Sequence, residues 1–438
     1  MNSSRSNSDE FGNSVFAEMS RAALMNEPAR PTPWQKNPGE AAQPKVLIIG
    51  NDRDYFINHR RHLAERLVAL GAEVTVITGG RRPQPGEDSG WTSEYMSIDR
   101  FSINPWDNFV LFARSLRHIR RIRPDVLHLF TLKPAAFAGL AALLSRRRDG
   151  KPERILITIP GLGRLMSPAG TGAGRLSPIV RSLVGRIIRF LSGRAEVLFS
   201  FETEHDRNLW LAQRLIRDHN STVIRGAGCD PQKFYPDPER KRGERVRILF
   251  ASRLLRSKGL EAFIATAQRL APRGDAEFIV AGVSDPRDPD SYPVELLERE
   301  SCISFLGEVR EMPALLRSVD LVCLPTLYGE GIPRILIEAA ATGVACVATD
   351  IAGCRQIVED GTTGTLVPLS DGIQLADALT TATIAYLDDR EKLVRHGRAG
   401  LDRFFAQEFG VEPVTRRFVE LLLGEVAAGG RNLHGKSV

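Results

Sequence analysis

The sequence predicts an α/β protein of two doubly wound, Rossmann-like domains that face each other across a cleft. The chain has 438 residues, which is enough for two or three domains. Short apolar strands alternate with amphipathic helices through each half, as in a parallel sheet covered by helices on both faces. A stretch rich in Gly, Pro and charge interrupts the alternation at 226–246 and predicts an interdomain linker.

The first half alternates between strand and helix over residues 44–225, which we assign to an N-terminal, acceptor-binding domain. Leu63, Leu67 and Leu70 share one face of its first helix. The predicted strands are 45–50, 73–78, 125–130, 155–158, 197–200 and 222–224. The predicted helices are 58–70, 108–121, 134–147, 176–191 and 204–216. Residues 1–43 are rich in Ser, Asn and Pro without periodicity and predict a disordered tail.

The second half repeats the pattern over residues 247–405, the predicted C-terminal, nucleotide-sugar-binding domain. Its predicted strands are 247–251, 277–281, 303–306, 321–324, 345–348 and 365–367. Helices 372–387, 390–405 and 411–423 close the chain; we assign 406–428 to a C-terminal helix and 429–438 to a tail. Because ligands of such sheets bind beyond the carboxyl ends of the strands, the site is expected in the cleft between the domains.

The charge, the cysteine content and the apolar runs of the sequence exclude several classes of protein. The net charge of +6 and the pI near 9.2 favour anionic partners. Nucleic acid is not expected, because the Arg residues lie on alternating α/β helices without interleaved aromatic residues. The five cysteines form no CxxC pair, which favours a reduced, cytoplasmic protein without a zinc site. No apolar run is long enough to span a bilayer, and the N-terminus has no signal-peptide core.

The most informative stretch is 321–343, which predicts a strand, a glycine turn and a helix. Pro333 marks the helix start and Gly343 its end. Glu330 lies in the turn and Glu338 two helical turns further on, so we expect both carboxylates to reach one ligand. Free amides and the positive end of the helix dipole suit a phosphate or a polyhydroxyl ligand. The alternative is a capped core helix with two surface glutamates.

Two cations follow the first strand of the second half. Arg253 and Lys258 lie between a strand end and a helix start, where they could clamp a diphosphate. The alternative is two solvated surface cations. Asp288 and Asp290 form a DxD sequence, but it lies in a proline-rich segment, so we expect a solvated loop and no metal site.

The first half offers weaker candidates. His59 follows the first strand, which places it either at the cleft edge or in a structural role at a helix start. His128 lies within a strand and is expected to be a packed core histidine. The Gly-rich turn 158–163 either faces the cleft or simply reverses the chain.

The helix at 176–194 is basic and amphipathic. Its apolar residues share one broad face, Arg181, Arg186 and Arg189 lie off that face, and no acidic residue occurs from Gly161 to Ala195. This pattern favours binding to an anionic membrane surface. The alternative is an ordinary helix packed on its sheet with a solvated Arg face.

Together these motifs resemble the retaining glycosyltransferases of family 4, which have the GT-B fold, over about residues 45–405. Gly329–Arg334 with Glu338 looks like the family's E-x7-E motif, and Arg253 with Lys258 looks like its diphosphate-binding pair. Gly228, Cys229 and Asp230, followed by Phe234 and Pro236, look like its interdomain signature.

The resemblance implies roles in the second domain. The implied donor-binding residues are Arg253, Lys258, Glu330, Gly331, Ile332, Pro333 and Glu338. Glu330 would contact the donor-sugar hydroxyls and Glu338 the ribose, while the backbone at Gly331 and Ile332 would approach sugar and phosphate. Arg253 and Lys258 would neutralise the leaving diphosphate, so these two residues and Glu330 form the catalytic set and neither a metal nor another cofactor is expected.

The first domain resembles the branch of the family that builds capsular, exopolysaccharide or O-antigen repeats on a lipid carrier. The implied acceptor-side residues are His59, Arg60, Lys133, Gly161 and Gly163. The sequence departs from the family at Pro160, where many members have His. It also departs at 51–55, where NDRDY replaces a Gly-rich loop.

We therefore expect a metal-independent, retaining transferase that moves a hexose or N-acetylhexosamine from a nucleoside diphosphate sugar, UDP-linked, to an undecaprenyl-diphosphate-linked sugar. We expect it to be cytoplasmic and peripheral on the inner face of the membrane, where it would serve lipopolysaccharide or exopolysaccharide synthesis. One alternative is a soluble synthase of the sucrose, trehalose or glycogen type. The other is a scaffold that binds nucleotide sugars without turnover.

Overall fold

The computed structural model describes residues 43–99, 102, 104–149, 152–161, 178–240, 242–285, 288–370 and 372–424, without the side chains of 147–149 and 178–179. It contains two parallel sheets covered by helices, so the predicted α/β class with two doubly wound domains is confirmed. The predicted tails, 1–43 and 429–438, lie outside the described residues apart from Gln43.

The first sheet has seven strands in the order β3-β2-β1-β4-β5-β6-β7, all of them parallel. Its strands are β1 (Lys45–Gly50), β2 (Glu73–Thr78), β3 (Thr92–Tyr95), β4 (Val126–Phe130), β5 (Arg154–Ile159), β6 (Val197–Phe201) and β7 (Ser221–Val223). Its helices are α1 (Arg53–Ala69), α2 (Pro105–Ile122), α3 (Leu132–Asp149), α4 (Pro178–Ser192) and α5 (Glu204–Ala212). Apolar residues are buried on both faces of the sheet.

The second sheet has six parallel strands in the order β10-β9-β8-β11-β12-β13. Its strands are β8 (Val246–Ala251), β9 (Ala276–Ala281), β10 (Ile303–Phe305), β11 (Leu321–Leu324), β12 (Ala345–Thr349) and β13 (Gly364–Val367). Its helices are α6 (Leu260–Leu270), α7 (Val294–Leu297), α8 (Met312–Ser318), α9 (Arg334–Ala341), α10 (Ala352–Ile357), α11 (Gly372–Leu387) and α12 (Arg390–Ala406); α13 (Val411–Leu423) ends the described chain.

Three elements differ from the sequence predictions by four residues or more. The edge strand β3 was not predicted, because TSEY is short, polar and without alternation. Helix α1 begins five residues earlier than predicted, since the Asp52 side chain caps it by accepting from the Tyr55 amide at 2.9 Å. Helix α5 ends at Ala212 instead of residue 216.

Helix α13 belongs to the C-terminal part of the sequence but packs on the first domain. Val414, Phe418 and Leu422 join the apolar cluster that includes strand β1. The chain thus crosses between the domains twice, once after β7 and again before α13, where the Cys229 and Val411 segments exchange backbone hydrogen bonds. The two crossings, which meet at Cys229 and Val411, are together called the hinge below.

The strand order of each sheet reverses beside its first strand, between β1 and β4 and between β8 and β11. The loops that leave neighbouring strands at such a point part to opposite faces and leave a crevice for a ligand. The glycine loop, defined here as residues 329–333, lies in the connection that follows β11 at this point of the second sheet. It joins β11 to α9, as the sequence predicts.

Candidate active site

The loops after β8 and β11 lie side by side and bring Lys258 to Glu330. The Leu327 amide donates to the Ser257 carbonyl at 2.7 Å. Gly259 has φ +77°, and a Cβ there would overlap Pro325 O, so this close approach requires glycine. The buried Lys258 ammonium donates a hydrogen bond to Glu330 Oε2 and lies 5.0 Å from the Tyr328 ring centroid.

The charge of Lys258 follows from its surroundings. Burial disfavours the Lys258 ammonium, but the Glu330 carboxylate and Tyr328 outweigh burial, so the pKa of Lys258 is raised. Glu330 Oε1 is buried and has no hydrogen-bond partner among the described residues. The site therefore combines a firmly cationic ammonium with a carboxylate oxygen that can accept from a hydroxyl group.

Arg253 also lies at this edge of the second sheet, and its side chain is largely exposed. Its Nη1 lies 3.8 Å from Asp288 Oδ2, and Asp288 itself is only 3% exposed. Asp290 accepts from the amide and the hydroxyl of Ser257. The expectation of a solvated loop at 288–290 was therefore wrong: these carboxylates face inward because they hold the Arg253–Lys258 segment in place.

Glu338 lies on α9 and is buried. It accepts from Arg334 Nε at 2.6 Å, and Arg334 also donates through Nη1 to the Asn58 carbonyl of the first domain. Burial raises the pKa of Glu338, and Arg334 partly offsets that effect. The two carboxylates of the predicted motif thus have different cationic partners, Lys258 for Glu330 and Arg334 for Glu338.

The glycine loop also touches the first domain directly. A Cβ on Gly331 would overlap Pro160 O and Glu202 Oε2, and a Cβ on Gly161 would lie 2.7 Å from Gly331 N. Glu202 Oε2 accepts from Ile332 N at 3.1 Å. The Ile332 amide, which was expected to approach the donor, therefore already has an acceptor supplied by the other domain.

His59 lies across the cleft beside the cations of the second domain. Its ring stacks on Tyr55 at 4.4 Å, and Nδ1 is 3.0 Å from the Tyr55 carbonyl. Because that carbonyl can only accept, Nδ1 carries the hydrogen and Nε2 keeps its lone pair. Burial, followed by Arg334, Arg60 and Arg253, lowers the pKa of His59 to about 3, so the ring is neutral at pH 7.

Two predicted acceptor-side residues have other contacts. Arg60 does not line the open cleft; it is only 2% exposed and pairs with Glu202 at 3.1 Å. The Lys133 ammonium donates hydrogen bonds to the carbonyls of Asp99 and Ser102 and thereby connects the start of α3 to the segment before α2. Gly161 lies in the cleft against Gly331, whereas Gly163 lies outside the described residues. His128 is a fully buried core histidine, as predicted.

Sequence reasoning missed Glu202 and Arg334, which both cross between the domains. Glu202 immediately follows β6, so its position at a carboxyl strand end was a signal that could have selected it. Arg334 stands inside the predicted motif, but its contact with Asn58 depends on how the domains face each other. Among the described residues, no group of three or more His, Cys, Asp or Glu side chains could hold a metal ion.

The family of the chain follows from matches in both domains. Residues 58–158 match the family model Glycosyltransferase Family 4, and residues 245–383 match the model Glycosyl transferases group 1; together these matches cover more than half of the chain. The chain belongs to the family 4 glycosyltransferases with the GT-B fold. This glycosyltransferase therefore has the fold and the family that its motifs predict.

Relatives and solved structures agree with this assignment. WcaL of Escherichia coli, provisionally named a colanic acid biosynthesis glycosyltransferase, is 25% identical over 58% of this chain and 68% of its own. The N,N'-diacetylbacillosaminyl-diphospho-undecaprenol α-1,3-N-acetylgalactosaminyltransferase of Campylobacter jejuni is 26% identical over 74% of this chain and 83% of its own.

Two solved structures share the fold. Sucrose-phosphate synthase of Thermosynechococcus elongatus superposes with a TM-score of 0.68 at 19% identity, over 87% of this chain and 98% of that one. Anabaena HepE in complex with UDP and glucose superposes with a TM-score of 0.65 at 16% identity, over 86% and 99% of the two chains.

Proposed function

We propose that this glycosyltransferase moves a hexose or N-acetylhexosamine from a nucleoside diphosphate sugar, UDP-linked, to an undecaprenyl-diphosphate-linked sugar, with retention and without a metal. The observation that carries the proposal is the pair formed by the buried Lys258 and the half-buried Glu330 at the glycine loop, with Arg253 near Lys258 in sequence. The pair offers a cation and a carboxylate at the topological switch point of the sheet, where a sugar diphosphate fits.

The cations account for the leaving group. As the bond between the anomeric carbon and the diphosphate breaks, negative charge grows on the phosphate oxygens. Lys258 and Arg253 would stabilise that charge as preformed electrostatic partners, the role that a divalent cation has in other transferases. In a retaining transfer the acceptor oxygen bonds to the anomeric carbon on the face that the diphosphate leaves, and the acceptor proton passes to the departing phosphate oxygen.

The carboxylates would orient the donor. Glu330 Oε1, buried and without a partner among the described residues, would accept a hydrogen bond from a sugar hydroxyl. Glu338 would accept from the ribose hydroxyls. The descriptions of two similar proteins support the proposed donor and acceptor. HepE was solved with UDP and glucose, and the Campylobacter relative is named for a diphospho-undecaprenol acceptor.

Exposed side chains of the first domain support the proposed binding to a membrane surface. Arg181, Arg186 and Arg189 are exposed on α4, together with Leu183 and Phe190. Trp106, 66% exposed, stacks on the exposed Phe109 of α2. Basic and aromatic side chains on one domain suit the interface of an anionic bilayer, where a lipid-linked acceptor resides. Among the described residues no helix is both long and apolar enough to cross a membrane.

The test is turnover with defined substrates. The full chain is incubated with a panel of nucleotide sugars, with and without undecaprenyl-diphosphate sugars in liposomes, and release of nucleoside diphosphate is measured. We expect acceptor-dependent release that EDTA does not reduce, and a product whose anomeric configuration by NMR matches the donor. Release with soluble sugar acceptors alone would support a synthase of the soluble type. Donor binding without release under any condition would support a non-catalytic scaffold.

A further inference from the structure

We propose that Glu202 is a positioning residue that holds the glycine loop from the opposite domain and so couples domain closure to the orientation of the donor. The proposal rests on the proposed function for its catalytic consequence only. The contact between Glu202 and the glycine loop can be measured without any substrate.

Glu202 bridges the two domains with a single carboxylate. It follows the last residue of β6 and is 6% exposed. Its Oε2 accepts from Ile332 N of the glycine loop at 3.1 Å, and its Oε1 accepts from Arg60 Nη2 at 3.1 Å. One oxygen therefore serves each domain. Because Glu202 and Arg60 both belong to the first domain, a shift of one domain relative to the other would break the bond to Ile332 N.

Arg60, which donates to Glu202, is itself held by contacts with three other elements. Its guanidinium donates to Gly226 O in the interdomain crossover at 3.4 Å. It also lies 4.8 Å from the ring centroid of Phe418 on α13 and 5.3 Å from that of Phe130 at the end of β4. These partners come from both chain crossings and from the sheet of the first domain. Glu202 is thus anchored at the hinge and reaches the glycine loop from there.

The loop that Glu202 holds has little freedom in this arrangement. Gly331 is enclosed on one side by Pro160 O and on the other by Gly353, where a Cβ would overlap Gly331 O. Such close backbone-to-backbone packing restricts the position of the loop when the domains meet. Since a misplacement of about 1 Å can lower a rate by roughly 100-fold, the bond at Ile332 bears directly on how a donor is presented.

A purely structural role does not account for this pair. Replacing a buried ion pair by apolar residues is often neutral or stabilising, so burying Arg60 and Glu202 is an energetically unfavourable way to hold two domains together.

Burial raises the pKa of Glu202 to about 7; Arg60 opposes this rise, whereas Asp206 and Glu330 add to it. Tyr55 of α1 also lies within the electrostatic reach of this carboxylate.

The first experiment measures the loop alone. Amide hydrogen exchange of the peptide covering 329–333 is followed by mass spectrometry in the full chain without nucleotide. Glu202→Ala should exchange faster there than the wild type. Glu202→Gln should lie between the two, because its amide oxygen can still accept from Ile332 N but cannot pair with the Arg60 charge. Glu204→Ala is the matched control, since Glu204 is an exposed carboxylate on the first turn of α5.

The second experiment separates kcat from nucleotide affinity. Glu202→Ala should lower kcat by about 10- to 100-fold. Calorimetry should show that free nucleoside diphosphate binds Glu202→Ala at least as well as the wild type, because a carboxylate has been removed from a cationic cleft. Glu202→Gln keeps the side-chain volume and should show a smaller loss of kcat, which keeps the test informative if Glu202→Ala folds poorly.

Two results would overturn the proposal. One is unchanged exchange at 329–333 in both variants. The other is a fall in nucleotide affinity by the same factor as kcat, which would make Glu202 an ordinary donor ligand. If the wild-type chain turns over no nucleotide sugar, the proposed function fails, whereas the exchange result still decides whether Glu202 holds the loop.

Discussion

Glu330 Oε2 accepts a hydrogen bond from the buried ammonium of Lys258, so the carboxylate assigned to the donor sugar and the cation assigned to the diphosphate form one unit. The two residues are 72 positions apart in sequence, and loops of two neighbouring strands bring them together. Each therefore sets the position of the other, and the Glu330 carboxylate also acts to raise the pKa of Lys258. Loss of the Lys258 ammonium will therefore leave the Glu330 carboxylate without its cation.

This pairing predicts non-additive kinetics. Lys258→Ala should lower kcat on the order of 100-fold, because a preformed cation for the leaving group is lost. Lys258→Ala combined with Glu330→Gln should cost clearly less than the product of the two single losses, since the second change removes a carboxylate already left without its cation. Arg253→Ala should give a similar loss that multiplies normally with that of Glu330→Gln. Near-wild-type turnover of Lys258→Ala or Arg253→Ala would refute the proposed role of the two cations.

The glycine loop offers a matched pair of glycines. A Cβ on Gly331 would overlap Pro160 O and Glu202 Oε2, whereas a Cβ on Gly329 would meet no heavy atom within 4 Å. Gly331→Ala should therefore prevent the domains from closing and reduce turnover by at least about 100-fold. Gly329→Ala should stay within a few-fold of the wild type. Equal losses in the two variants, measured by steady-state kinetics, would mean that the packing of the loop against the first domain is not required.

Membrane docking is tested through the exposed arginines of α4. Each basic residue near an anionic surface contributes about 1 kcal/mol, so replacing Arg181, Arg186 and Arg189 by Gln should weaken liposome partitioning roughly 100-fold, and high salt should mimic the change. Arg189 also donates to the Arg214 carbonyl at 3.0 Å, so Arg181→Gln with Arg186→Gln separates docking from packing. Arg395→Gln in the second domain is the control. Salt-insensitive, unaltered flotation of the triple variant would assign α4 a structural role alone.

The raised pKa of Glu202 predicts a pH-dependent stability. Its folded value of about 7 lies above the ordinary value of 4.5, so the folded state binds the proton more tightly. The stabilising contribution is present below about pH 4.5 and is lost as the pH rises to about 7. Relative to Glu202→Gln, the wild type should lose on the order of 1–3 kcal/mol of unfolding free energy across this window. Denaturant titrations at several pH values measure it; a pH-independent difference would contradict the raised pKa.

The local pattern of the sequence was sufficient to predict most of the fold. Apolar strands such as Leu321–Leu324 and Val126–Phe130 are fully buried, and runs of this kind are typical of parallel sheets. The strand–turn–helix around Glu330 could be predicted because Pro333 and Gly343 mark the ends of the helix. Strand β3 could not, since the four residues of Thr92–Tyr95 acquire their structure by pairing with β2.

The contacts between the domains could not be predicted from local patterns. Glu202 and Ile332 are 130 positions apart, and nothing in either segment indicates that they meet. Asp288 and Asp290 lie in a Pro-rich segment typical of a solvated loop, but the structure brings their carboxylates to Arg253 and Ser257. Helix α13 carries an apolar face, but its packing on the first domain depends on the second chain crossing.

Substitutions of the two carboxylates of the motif, Glu330 and Glu338, should have different kinetic effects. Glu330 is proposed to contact the donor sugar, and Glu330→Gln removes its charge while keeping the shape of the side chain. We expect kcat to fall strongly and the donor KM to change less, because the lost interaction is greatest in the transition state. Free nucleoside diphosphate, which has no sugar, should bind Glu330→Gln almost normally in calorimetry.

Glu338 is expected to accept hydrogen bonds from the ribose hydroxyls, away from the bond between the sugar and the diphosphate that breaks. Glu338→Gln should mainly raise the donor KM and weaken the binding of free nucleoside diphosphate. Its partner Arg334 also reaches Asn58 across the cleft, so Arg334→Met is needed beside it to separate ribose contact from domain contact. If Glu338 acts on the ribose, Arg334→Met will leave more nucleotide affinity than Glu338→Gln does. Identical kinetic signatures for Glu330→Gln and Glu338→Gln, or unchanged nucleotide affinity in Glu338→Gln, would show that the roles assigned along this loop and helix are wrong.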